Sequence, residues 1–316
     1  MPAEPASHHT VFLTGATGFI GRHIQATLLG AGCTVRALVR PGSANAEHVD
    51  PRCQAVEAAL SDGPALERAV ADCTAVIYCA GSVRGRVLDD FLPANEAGVR
   101  QLMQALAGVG PPPPTLLISS LAAGQPELSD YAQSKLLGEQ ALRRYAPGGW
   151  TILRPPAVYG PGDREMRPIL RMARSGWIAH AGPASQRVSL IHAADLARAV
   201  LAWLHAWPAS AGRLYTLDDG REGGYDWHAI AAAAGRDNPR LLRVPTGLLR
   251  AIANLNLGLS RLLGYPPMLT PGKVEELTQA DWLCDNTALS ADTGWQPRIE
   301  LAQGLRQTLD DFRSTT

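Results

Sequence analysis

The chain alternates short, wholly apolar runs with longer stretches in which apolar residues recur every three or four positions. The first kind suits a strand buried on both faces, the second a helix laid against a sheet. Strands are predicted at Thr10–Thr14, Thr34–Val39, a weaker Cys53–Leu60, Ala75–Cys79, Thr115–Ser120 and Trp150–Arg154. Helices are predicted over 19–30, from the capping pair Ser61-Asp62, over 90–107 and over 131–145. Such alternation builds a parallel sheet covered on both sides, and right-handed crossovers make it doubly wound. After about residue 160 the rhythm changes to Gly, Pro and Arg-rich loops, with strands at Val188–Ile191 and Arg213–Leu217 and a helix at Asp195–Trp203. The expected division is a disordered tail over 1–9 that includes His8 and His9, a sheet domain over 10–159 and 186–215, and a smaller lobe over 160–185 and 216–316.

Composition narrows the classes. Of 316 residues 46% are hydrophobic and 18% charged, enough apolar material for a large core. Lys+Arg and Asp+Glu both number 29, which argues against a nucleic-acid partner or a polybasic membrane patch. The cysteines at 33, 53, 73, 79 and 284 show neither a metal-like spacing nor a disulfide framework, so no metal is expected and a cytoplasmic location fits best. Residues 1–9 do not read as a signal peptide, and no apolar run is long enough for a membrane span.

Ligands of a wound sheet bind beyond the carboxyl ends of its strands. The first strand ends in TGATGFIG, residues 14–21. Gly15 permits a tight turn, Gly18 lets a pyrophosphate approach a helix N-terminus, and Gly21 lets that helix pack closely. Dinucleotide binding through Gly15, Thr17, Gly18, Phe19 and Ile20 is the reading. The second strand ends at Val39-Arg40, with no carboxylate between Arg36 and Ala46. An Arg there suits the 2′-phosphate of NADP, so NADP is expected, with NAD the alternative.

Tyr131 and Lys135 stand four residues apart at the start of the helix after strand five, on one helix face. Lys135 and Lys273 are the two lysines of the chain, so a compact ammonium at 135 is notable. A phenol ordinarily titrates near pH ~10, and a neighbouring ammonium is expected to lower that value and make it an acid/base at neutral pH. Strand five ends in Ser119-Ser120. Ser120 is the choice to hold a substrate oxygen, Ser119 the reserve.

Together these stretches resemble the extended branch of the short-chain dehydrogenase/reductase superfamily, the NAD(P)-dependent epimerase/dehydratase type. The similarity also takes in VIYCAG (76–81), Asn95, ILRPPAVYGPGD (152–163) and LIHAADLARAV (190–200). The resemblance implies a Rossmann doubly wound parallel sheet with a smaller C-terminal substrate lobe, and a catalytic set Ser120, Tyr131 and Lys135. It implies that Lys135 also holds the nicotinamide ribose, that Leu60 lies near the adenine, that Ala80, Gly81 and Pro155 line the cofactor, and that Asn95 props the sheet edge. A homodimer through the 90–107 and 131–145 helices is implied too. Three features depart from the pattern. Ser120 and Tyr131 are 11 residues apart, a trimmed loop. Ala58-Ala59-Leu60 stands where an Asp is common, and Val188 where sugar-nucleotide enzymes often carry an Arg. His192 is read as a structural residue at a strand end.

The segment Leu248–Leu263 is apolar and helical, charged only at Arg250 and Arg261. It suits a lobe helix, a greasy lid or a membrane-surface element; if it lines the pocket, the small-molecule substrate is apolar. The leading functional reading is an oxidoreductase passing hydride between NADP(H) and a secondary alcohol or carbonyl, with Tyr131 as acid/base. A nucleotide-sugar epimerase or dehydratase with retained NAD(P) is the alternative, and a non-catalytic NAD(P)-binding sensor or assembly protein is the reading of another class.

Overall fold

The structure is a computed structural model that describes residues 9–314. The chain opens β1 (Thr10–Thr14), α1 (Phe19–Gly30), β2 (Thr34–Val39), β3 (Gln54–Glu57), α2 (Gly63–Val70) and β4 (Ala75–Tyr78). It continues α3 (Leu88–Leu92), a π turn at Pro93–Ala97, α4 (Gly98–Ala107), β5 (Thr115–Ile118), α5 (Asp130–Tyr145) and β6 (Trp150–Arg154). Next come β7 (Ala157–Tyr159), α6 (Arg167–Ser175), β8 (Trp177–His180), β9 (Arg187–Val188), β10 (Leu190–His192), α7 (Ala193–Ala206) and β11 (Arg213–Thr216). The chain closes with α8 (Trp227–Ala233), β12 (Arg240–Arg243), α9 (Thr246–Leu263), α10 (Pro271–Thr278), β13 (Asp281–Trp282), α11 (Thr287–Thr293) and α12 (Leu301–Ser314).

Seven strands form one parallel sheet in the order β11-β6-β5-β4-β1-β2-β3. The order reverses between β1 and β4, the topological switch point at which a wound sheet opens a crevice. Strands β4 and β5 are buried at every position, as a sheet with helices on both faces requires. One face packs Ile24 and Leu28 of α1 with Leu196, Val200 and Trp203 of α7. The other packs Leu66 of α2, Leu102 and Leu106 of α4 and Leu142 of α5. The expected Cys53–Leu60 strand is shorter, because β3 lies at the sheet edge with most of its residues exposed. The helix expected over 90–107 is broken by the π turn, whose loosened backbone lets the Ala94 carbonyl accept from Tyr78 Oη at 2.6 Å.

A third core joins Leu170, Ile178, Ile230 and Leu305 of the smaller lobe to Tyr159 and Leu190 of the sheet domain. Of three two-stranded parallel pairs, β8 with β12 lies within this lobe, β9 with β13 ties it to the sheet domain, and β7 with β10 lies on the sheet-domain side of the join. Residues 1–8 of the expected tail lie outside the described residues. His9 is tied to the sheet, its carbonyl accepting from the Thr34 amide at 2.9 Å.

His192 is buried at the start of α7, where its Nδ1 accepts from the Ala194 amide at 3.2 Å. Burial, and the neighbouring His23, push its pKa down from 6.5 to about 4. The unfolded chain therefore binds the proton first, and the cap's contribution is lost as pH falls from 6.5 toward 4. Asn also caps helices but does not titrate there. In denaturant titrations the stability advantage of the wild type over His192→Asn should shrink across that window. An advantage that stays flat from pH 6.5 to 4 would contradict this role.

Candidate active site

Thr14 and Gly15 shape the crevice floor. Thr14 Oγ1 accepts from the amides of Cys79 and Ala80, both at 3.1 Å, and so joins the ends of β1 and β4. Gly15 turns with φ +70°, and a Cβ on it would lie 2.7 Å from the Ala80 nitrogen and the Cys79 carbonyl. At Gly21 a Cβ would sit 2.0 Å from the Gly15 carbonyl oxygen. Any side chain at either position would force the first turn of α1 away from the sheet.

The N-terminus of α1 is bare. Gly18 caps it with no side-chain hydrogen bond, and no acidic residue occupies its first turn. Unpartnered amides with a helix dipole behind them attract an anion. A Cβ at Gly18 would approach the Gly15 carbonyl to 3.2 Å, and one at Gly81 would approach Asn95 Oδ1 to 3.1 Å. These cradles and the uncapped helix fit the phosphates of a dinucleotide. Thr17, Phe19 and Ile20 are half-buried on the same turn. Arg40 is exposed just beyond β2 and forms no ion pair among the described residues. Leu60 is half-buried against α4, its Cδ1 3.0 Å from where a Cβ of Gly98 would stand. Ala80 and Gly81 follow β4 after Cys79.

Across the crevice, Ser129 caps α5 by accepting from the Ala132 amide at 3.0 Å. That cap starts the helix one residue before Tyr131. Tyr131, Lys135 and Glu139 follow at four-residue intervals and turn inward together. Lys135 Nζ donates to the Ile118 carbonyl at 2.9 Å, and burial lowers its pKa to about 8. Tyr131 differs from expectation. Burial pushes its phenol up to about 12, while the nearby Ser120 hydroxyl pulls the other way. The ammonium that was expected to acidify the phenol is instead committed to the Ile118 carbonyl.

The two serines part company. Ser119 Oγ donates to Glu139 Oε1 at 2.5 Å, which removes it to a supporting role. Ser120 meets Tyr131, and its Oγ also accepts from the Ala122 amide at 3.2 Å. The fully buried Glu139 is held by Arg154 through two hydrogen bonds of 2.7 Å. A buried charge that loses its partner costs roughly 3–5 kcal/mol, so this bidentate pair locks the end of β6 to α5. Sequence reading missed Glu139, although its place eight residues after Tyr131 on the same helix face was a usable signal. Asn95 bridges the Ser82 carbonyl at 3.0 Å and Ser134 Oγ at 2.8 Å, and Ser134 in turn donates to the Tyr131 carbonyl at 2.7 Å. Its expected propping role thus has a defined geometry.

Ser120, Tyr131 and the buried Pro155 border a cavity of about 1130 Å³ between the sheet and the smaller lobe. It meets the glycine turn at Phe19 and Ile20; Gly15, Thr17, Gly18, Arg40, Leu60, Ala80, Gly81 and Lys135 lie outside its lining. The lobe contributes Met166, Ile169, Trp227, Leu257 and Met268. Glu276 of α10 also borders it, accepting from Ser129 Oγ, and pairs with Lys273 Nζ at 2.6 Å. Sequence reading did not single out this Ser129–Glu276–Lys273 chain, since it joins residues far apart along the chain.

Comparison with known proteins shows the family and the fold. The model of the NAD dependent epimerase/dehydratase family matches residues 11–216. A ceramide reductase of Caulobacter vibrioides is 34% identical over 308 residues, covering 96% of this chain and 94% of that protein. A 2-alkyl-3-oxoalkanoate reductase of Stenotrophomonas maltophilia is 27% identical over 333 residues, covering 94% and 97%. The UDP-glucuronic acid 4-epimerase of Bacillus cereus, solved with UDP-glucuronic acid and NAD, superposes with a TM-score of 0.72 at 19% identity over 97% of this chain and 100% of that one. That last likeness shows the fold. The chain belongs to the NAD dependent epimerase/dehydratase family, as an NAD(P)-dependent enzyme of the oxidoreductase or epimerase kind.

Proposed function

We propose that this enzyme reduces the carbonyl of an apolar substrate with NADPH, Tyr131 delivering the proton. The observation that carries the reading is the lining of the cavity. Its cations are Arg86 and Lys273, and both are already paired, Arg86 Nε with Asp90 at 3.4 Å and Lys273 with Glu276 at 2.6 Å. Arg187, beside Val188 of the lining, is paired with Asp226 at 3.2 Å. Carboxylates line the space as well, from Glu127, Asp130, Asp163 and Glu165. A nucleotide diphosphate would be desolvated there with no uncommitted cation in the lining. An alkyl or acyl chain needs only the apolar walls. The relatives named ceramide reductase and 2-alkyl-3-oxoalkanoate reductase support the same substrate class.

A reduced nicotinamide, when bound, supplies a hydride to an electrophilic carbon. The chain's own residues manage the oxygen and the coenzyme's position. Ser120 donates a hydrogen bond to the carbonyl oxygen and holds it beside the phenol. With its value pushed up to about 12, Tyr131 carries its proton at neutral pH, the state a reduction requires, and releases it to the oxygen as the alcohol forms. Lys135, anchored on the Ile118 carbonyl and with a value near 8, holds the nicotinamide ribose. Glu139, Arg154 and Asn95 act through these groups by fixing α5 against the sheet. The turn of Gly15, Thr17, Gly18, Phe19 and Ile20 takes the pyrophosphate, Leu60 borders the adenine, and Ala80, Gly81 and Pro155 line the groove. Arg40 meets the 2′-phosphate of NADP.

Tyr131→Phe should lower kcat/KM by ~10²–10⁴-fold on any ketone that the wild type reduces, with the Kd for NADPH unchanged. Retained turnover would overturn the role of Tyr131. Arg40→Asp should raise the Kd of NADPH by ~10–100-fold and leave that of NADH nearly unchanged, since only NADPH loses a charge-assisted pair. Equal losses for both would refute the assignment to NADP.

A further inference from the structure

Helix α9 wears its apolar face on the outside. Leu248, Ile252, Leu255, Leu259 and Leu262 fall in one stripe along it, spaced by four and three residues. All five are exposed, Leu255 at 66% and Leu262 at 83%, and Leu263 beside them stands at 72%. The side turned toward the protein carries the small buried Ala253 and Ser260, and Leu257, which lines the cavity. A surface helix of a water-soluble domain distributes these residues the other way. The β8–β12 pair leads into the helix, β12 ending at Arg243 and α9 starting at Thr246. On that pair, Trp177 and Leu242 are exposed at 52% and 57%. Arg240 lies over the Trp177 ring at 4.9 Å.

The charges along this stretch of the chain are mostly positive. Residues 236–263 contain Arg236, Arg240, Arg243, Arg250 and Arg261 against one carboxylate, Asp237. Arg250 is paired with Glu275 on α10. Arg236, Arg240, Arg243 and Arg261 are exposed and form no ion pair among the described residues. The whole chain is formally neutral, so this is a local concentration.

We propose that the outer face of α9, with the adjoining β8–β12 edge, docks on an anionic phospholipid bilayer. Leucines enter the headgroup boundary while the arginines meet lipid phosphates. No helix among the described residues is long and apolar enough to cross a membrane, so α9 lies along the surface. A second copy of the chain fits the patch less well, because a two-fold contact would set the same unpaired arginines against one another. Docking would bring the helix that supplies Leu257 to the cavity directly onto the phase in which an apolar substrate resides.

The test is flotation of the full-length protein with vesicles, either pure phosphatidylcholine or phosphatidylcholine with about one third phosphatidylglycerol. The wild type should float with the anionic vesicles. Leu255→Glu/Leu262→Glu and Arg240→Glu/Arg243→Glu should each bind at least ~10-fold more weakly while melting at the wild-type temperature, which shows that they fold. Wild type left at the bottom of the gradient, or a leucine variant that floats as well as wild type, would overturn the proposal. So would equal binding to the neutral vesicles, or a dimer in light scattering that the leucine variant dissolves without any vesicle binding. Flotation does not read turnover, so its failure leaves the reductase reading standing.

Discussion

The site depends on how closely three backbones meet at the end of β1. Thr14 clasps the amides that follow β4, and Gly15 turns against them with no room for a Cβ. Gly21 then brings α1 down onto that turn, with no room for a Cβ either. Because the turn is closed by backbone and a threonine hydroxyl, no side chain is spent capping α1. Its amides stay available to an anion. The crevice lies where the strand order reverses, so β1 and β4 present their carboxyl ends with no crossover covering them.

Opposite this turn, Tyr131 and Lys135 stand on a helix held by buried polar links. Glu139 joins Ser119, Arg154 and, through α5, the row that bears Tyr131 and Lys135. Asn95 ties the segment after β4 to the same helix through Ser134. The π turn that carries Asn95 lies against Gly138, where a Cβ would be 2.0 Å from the Asn95 carbonyl oxygen. Tight packing and ion pairing thus fix the angle of α5, and with it the direction of the phenol. The smaller lobe closes the other side of the cavity with apolar side chains and with Lys273, which is already paired with Glu276.

Much of the sheet was legible because each buried strand is a short, continuous apolar run. The bounds of β1, β2 and β6 agree with the pattern residue for residue, and the glycine turn and Tyr131–Lys135 pair stand where their spacing put them. What escaped is equally physical. Strands β7, β8 and β12 have three or four residues in two-stranded pairs, too short for a period to register. A π turn changes the helical count without changing the residue types on either side, so Pro93–Ala97 reads as ordinary helix. The rise of the Tyr131 value follows from how the pocket closes over it, which residue spacing does not encode. Helix α9 was visible as apolar and periodic, but a leucine stripe reads the same whether a neighbour covers it or not. Only the fold shows that this one faces outward.

A crystal structure with NADPH bound should show the pyrophosphate against the free amides at the start of α1, at Phe19 and Ile20, the nicotinamide ring beside Tyr131, and Lys135 reaching the ribose. A dinucleotide bound elsewhere, or a Tyr131 hydroxyl turned away from the ring and from Ser120, would contradict this arrangement.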